Sequence, residues 1–232
     1  MNESLQTVYS GGGSSVALEQ RNRVLRNTYW LLALSLVPTV LGAWLGVSTG
    51  LMVGKGAGLM GIVFLLGAIG FIFAIEKTKN SSAGVAVLLG FTFFMGLMLS
   101  GLLAYVLGSY RNGASLIMMA FGGTAGVFFA MASLATVIKR DLSSLGKFLF
   151  VGLVVLIVAS LINLFVHSSA MMMALSVIAI GLFSAFVLYD VKRVLDGGET
   201  NYITATLSIY LDLYNVFQNL LALLGIFGGE RD

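Results

Sequence analysis

Apolar residues in this chain fall in long runs, neither in the alternation of a half-buried strand nor in the stripes of an amphipathic helix. The runs lie at about Thr28–Val47, Gly56–Ile75, Ala83–Leu107, Ala114–Ile138, Phe148–Val166, Ala170–Val191 and Ile203–Phe227. Each holds roughly 19–25 residues, enough at ~1.5 Å per residue to cross ~30 Å of hydrocarbon. Backbone in hydrocarbon must satisfy its own hydrogen bonds, so such runs predict helices. The pattern predicts an all-α integral membrane protein, with seven transmembrane helices over 28–228 and a flexible polar tail over 1–27. That tail carries Gly11-Gly12-Gly13-Ser14-Ser15. A signal peptide is the competing reading of the first run, but the run is longer than a signal core and lacks a clear small-residue cleavage site. The seventh run is the least apolar, with Asp212, Asn215, Gln218 and Asn219, and is expected inside the bundle.

Charge adds an orientation. Arg21, Arg23 and Arg26 precede the first run, and Lys77 and Lys79, Lys139, Arg140 and Lys147, and Lys192 and Arg193 fall in alternate loops. The opposite side holds only Lys55, Arg111 and Arg231. Ten bases against three in short loops predict a cytoplasmic amino terminus and a carboxyl terminus across the membrane. The net charge of +3 therefore reads as topology, not as nucleic-acid binding. A chain that is 58% hydrophobic and 10% charged leaves almost nothing for a soluble domain. With no cysteine there is no disulfide, thiolate nucleophile or cysteine metal site. Gly42/Gly46, Gly54/Gly58 and Gly122/Gly126 have the spacing that lets helix backbones approach. Pro38 is expected to kink the first helix.

Asp190 and Asp212 carry the chemical interest. Both lie in apolar sequence near the cytoplasmic ends of the last two runs, where a carboxylate costs ~2.5–3.5 kcal/mol unless it is paired or functional. Two carboxylates in contact cannot both ionise cheaply, so such a pair would respond to protons. The plain alternative for Asp190 is a helix-end residue facing loop water, Lys192 or Arg193. Asn215 and Asn219, four apart, are suited to hydrogen bonds between helices. His167, alone at the outer end of the fifth run, reads as an interfacial polar residue, and Met171-Met172-Met173 as packing. An intramembrane aspartyl protease would need a proline-containing motif downstream, which a chain with Pro38 as its one proline cannot supply. No enzyme and no cofactor are expected.

Gly197-Gly198-Glu199-Thr200-Asn201-Tyr202 and Ala205 through Phe217 (Ala-Thr-Leu-Ser-Ile-Tyr-Leu-Asp-Leu-Tyr-Asn-Val-Phe) resemble the Bax inhibitor-1 family, in its bacterial YccA-like and YetJ-like branch. Phe121 to Ala125, Lys139 to Ser143 and Arg23 to Tyr29 resemble it as well. The resemblance implies two three-helix layers around a central C-terminal helix, in a bacterial inner membrane. It further implies a pH-sensitive calcium leak gated by a di-aspartyl sensor, Asp190 and Asp212, with Ca²⁺ as the permeant ion. Lys77 is the nearest candidate for the basic latch of such a pair. Some members lack these acids and are better known as modulators of a membrane protease such as FtsH, which is the alternative function. The expected partners are then the lipid bilayer and that protease, with no nucleic acid.

Overall fold

A computed structural model describes the backbone of residues 3–52 and 57–230 and the side chains of 18–52 and 60–230. Lys55, Arg231 and the Gly54/Gly58 pair fall outside the described residues or side chains. The helices are α1 (Glu3–Thr49), α2 (Ala57–Thr78), α3 (Ser82–Ser109), α4 (Gly113–Val137), α5 (Ser143–Val166), α6 (Ser169–Leu195) and α7 (Tyr202–Gly228). All seven are long and apolar enough to cross a membrane. The fold is all-α, as the apolar runs required.

The amino-terminal boundary differs from the expectation. Helical backbone begins at Glu3, inside the segment read as a flexible tail. The packed region also starts before residue 28, because Val24 is buried against Val194 of α6 and Ala205 of α7. A polar, glycine-containing stretch carries no signal of the surface onto which its last turn folds. α1 continues through Pro38, with Thr39 Oγ1 donating to Ser35 O at 2.8 Å.

α1 and α2 pack on α3, α4 and α5 pack on α6, and α7 touches α1, α2, α3, α4 and α6. Position follows polarity. α5, the most apolar span, packs on α6 alone among the described helices and leaves Phe165 85% exposed. α7, the least apolar, is among the most buried. Lipid solvates apolar side chains as well as protein does, so helices associate through close packing and hydrogen bonds. Small residues supply the first of these at α1–α3: a Cβ on Gly42 would lie 2.1 Å from Phe93 O, and one on Gly96 2.1 Å from Thr39 O. Gly122 and Gly126 are the correction, since a Cβ on either would meet nothing within 4 Å. Four-residue spacing places two glycines on one face of a helix but does not say whether that face meets a neighbour.

Candidate functional site

α7 begins with a cap. Asn201 Oδ1 accepts from the N–H groups of Ile203 (2.9 Å) and Thr204 (3.3 Å). Its Nδ2 donates to Lys79 O (2.9 Å) and Asn80 Oδ1 (3.0 Å), tying the start of α7 to the α2–α3 loop. α6 is closed off by Gly197, two residues past its end, whose φ of +80° suits glycine; Gly198 N donates to Arg193 O at 2.8 Å. A Cβ on Gly197 would lie 2.7 Å from Arg21 Nε, so the base before the first span sits against this turn.

From its cap, α7 presents two polar faces. Thr206, Tyr210 and Tyr214, spaced by four, point toward α1 and α3. Thr206 Oγ1 donates to Tyr202 O at 2.6 Å and lies 3.3 Å from Thr28 O. Tyr210 Oη is 2.9 Å from Thr39 Oγ1 and 3.4 Å from Thr92 O, and Tyr214 Oη donates to Met95 O at 3.2 Å. Ser208, Asp212, Asn215 and Asn219 form a second stripe, at i, i+4, i+7 and i+11. They line a cleft of about 820 Å³ between α5 and α7, floored by α6. Its other walls are largely apolar and include Leu156, Ile157, Leu161 and Leu164.

The two aspartates meet at the end of this cleft nearest the α6–α7 turn. Asp212 lies roughly 15 Å along α7 and Asp190 roughly 7 Å from the end of α6, yet the helix pairing brings their carboxyl groups within hydrogen-bonding reach. Asp212 is 7% exposed, and its Oδ2 is buried with no donor from the protein. Two ionised carboxylates cannot donate to one another, so this contact is satisfied only when a proton is shared.

A base stands beside them, which in the sequence is only a topological charge and the plain alternative partner of Asp190. Arg193 Nη1 lies 4.0 Å from Asp190 Oδ1, and Nη2 donates to Glu199 Oε2 at 2.7 Å. Glu199 Oε1 in turn accepts from Asn201 N at 2.9 Å, linking the carboxyl pair through an ion chain to the α7 cap. The i,i+3 spacing of Asp190 and Arg193 was the available signal. Lys77 is exposed at the end of α2, and the described ion pairs do not bring it to the aspartates. The asparagines also differ from expectation: Asn215 Nδ2 donates to Leu211 O and Asn219 Nδ2 to Asn215 O, each at 2.8 Å. With α5 out of contact across the cleft, their amides turn back onto α7. His167 has a terminal role: it ends α5 with φ 53°, exposed, and Nδ1 lies 3.1 Å from Phe165 O.

Seven apolar helices, with a polar last helix in contact with five others and carrying one acid of the pair, define a polytopic membrane protein. The family model described as inhibitor of apoptosis-promoting Bax1 matches residues 21–229, and the chain belongs to the Bax inhibitor-1 family. It is 38% identical to an uncharacterized membrane protein of Vibrio cholerae, over 91% of this chain and 92% of that one. It is 36% identical to the modulator of FtsH protease YccA of Escherichia coli, over 95% of this chain and 98% of that protein. A Pseudomonas aeruginosa protein is 38% identical over 94% of this chain and 96% of its own length.

Proposed function

We propose that this chain is a non-enzymatic inner-membrane protein that modulates a membrane-bound protease of the FtsH type. The observation that carries this reading is the end-to-end match, at 36% identity, to a relative named for that activity. The test is degradation of a membrane substrate by such a protease in proteoliposomes, with and without this chain. The expected result is a changed rate and co-purification of the two proteins. Loss of both on deleting the residues before Arg21 would place the contact in the amino-terminal segment. An unchanged rate with no association would refute the reading.

A second reading is favoured by the acid pair. Asp190 and Asp212 adjoin in a cleft within the membrane, an arrangement suited to a proton-sensitive passage for cations such as Ca²⁺. Calcium usually takes six to eight oxygen ligands, which two carboxylates do not supply, so the chemistry favours transient passage over storage. Calcium flux into liposomes, measured across pH, tests it: pH-dependent flux that flattens in the Asp190→Asn/Asp212→Asn double variant supports it, and absence of flux refutes it. Both readings take the amino terminus as cytoplasmic. Reporter fusions after Lys79, Lys147 and Arg193 should all report cytoplasm.

A further inference from the structure

We propose that the cleft between α5 and α7 binds a single-chain cationic amphiphile, its ammonium head at Asp190 and Asp212 and its alkyl tail along α5. This site does not depend on either reading of function given above. Size limits the occupant first. At about 820 Å³ the cleft lies within the ~300–1,000 Å³ of ligand sites. A transmembrane helix 10 Å across and 30 Å long occupies on the order of 2,400 Å³ and does not fit.

Chemistry then orients it. From the end nearest the α6–α7 turn, the lining runs from charged residues to a wall of Leu156, Ile157, Leu161 and Leu164. With one proton shared between Asp190 and Asp212, the pair and Glu199 still carry two negative charges against the single base Arg193, whose guanidinium is already shared between Asp190 and Glu199. The end of the cleft therefore favours a positive head. Asp212 Oδ2 is buried and without a protein donor, and a turn of its carboxyl group toward the cleft makes it an acceptor that an ammonium N–H satisfies. A diacyl phospholipid fits less well: Arg193 lies on the water side of the carboxyl pair, whereas the lipid's phosphate lies on the apolar side of its amine. The alkyl chain continues toward Leu164, over the part of α5 that has no protein neighbour but α6.

The test uses the full chain in nanodiscs and a long-chain primary amine carrying a diazirine in its tail, with adducts mapped by mass spectrometry. The expected result is saturable labelling within residues 153–164 and 208–219, displaced by dodecylamine but not by dodecanol. Asp212→Asn should weaken displacement about tenfold, as expected for loss of a charge-assisted hydrogen bond. Ile157→Trp, which fills the cleft and leaves both carboxylates intact, should abolish labelling while size-exclusion behaviour is retained. If Asp212→Asn does not fold, Asp190→Asn provides the same measurement. Equal labelling by the alcohol or by a diacyl lipid with the same tail group would overturn the proposal, as would labelling elsewhere or no effect of Ile157→Trp.

Discussion

The two sides of α7 solve the same problem in opposite ways. Toward α1 and α3, its hydroxyls at Thr206, Tyr210 and Tyr214 all find partners, two of them carbonyls of α3. Those helices come close because Gly42 and Gly96 remove the side chains that would hold them apart. Toward α5, a carboxylate oxygen of Asp212 finds no donor, and two asparagines donate to the carbonyls of their own helix. One side is a finished interface; on the other, polar groups line an open cleft. Polarity inside a membrane helix therefore has two meanings, glue and site, separated by whether the partner atoms are present.

The glycine contacts give the largest expected effect. Gly96→Ala should destabilise by about 3 kcal/mol in detergent thermal unfolding, because its Cβ meets the backbone oxygen of Thr39 at 2.1 Å, where neither helix can yield cheaply. Gly122→Ala, with nothing within 4 Å, should be neutral or stabilise by up to ~1 kcal/mol. Equal losses at the two positions would remove the distinction between sealed and open surfaces. On the cleft side, Asp212→Leu should raise stability by about 2 kcal/mol, since it removes a buried acceptor with no donor. A destabilised Asp212→Leu protein would mean that the carboxylate is a structural bond. On the sealed side, Tyr210→Phe should cost about 1 kcal/mol, the usual scale of hydrogen bonds between membrane helices.

Smaller effects come from the rim on the side of the α6–α7 turn. Arg193→Gln should cost roughly 0.5 kcal/mol, because its pair with Glu199 is only partly shielded from water. Asp141, in the exposed α4–α5 loop, accepts from Ser143 Oγ and Ser143 N, and these bonds hold its carboxyl below the ordinary aspartate value. Its contribution is therefore present above the unfolded pKa of ~3.9 and lost as the pH falls through the lower folded value. A small stability gap between the parent and Ser143→Ala should be visible at neutral pH and should close under strong acid. A gap that grew on acidification would contradict the assignment.

Much of the fold was legible along the chain because the bilayer sets a simple requirement. A run of apolar residues long enough to cross must be helical, and the described helix ends from α3 to α7 lie within a few residues of the runs, apart from the extra turn or so at the start of α5 and the end of α6. Asp190 and Asp212 stood out for the same reason, as charges where charge is costly. The position of α7 inside the bundle was also written in its composition.

Solvent thus fixed, along the chain alone, seven apolar helices, a buried polar last helix and two acids of interest. The tertiary structure alone decided who meets whom. It brought two acids at different depths on α6 and α7 together, put Arg193 rather than Lys77 beside them, and set Gly42 of α1 and Gly96 of α3, not Gly122 and Gly126 of α4, in contact with a neighbour. Each of these depends on the rotation of one helix against another and on whether α5 closes onto α7. Lipid and protein are nearly equivalent surroundings for an apolar side chain, so hydropathy does not encode that choice; packing and hydrogen bonds between helices make it.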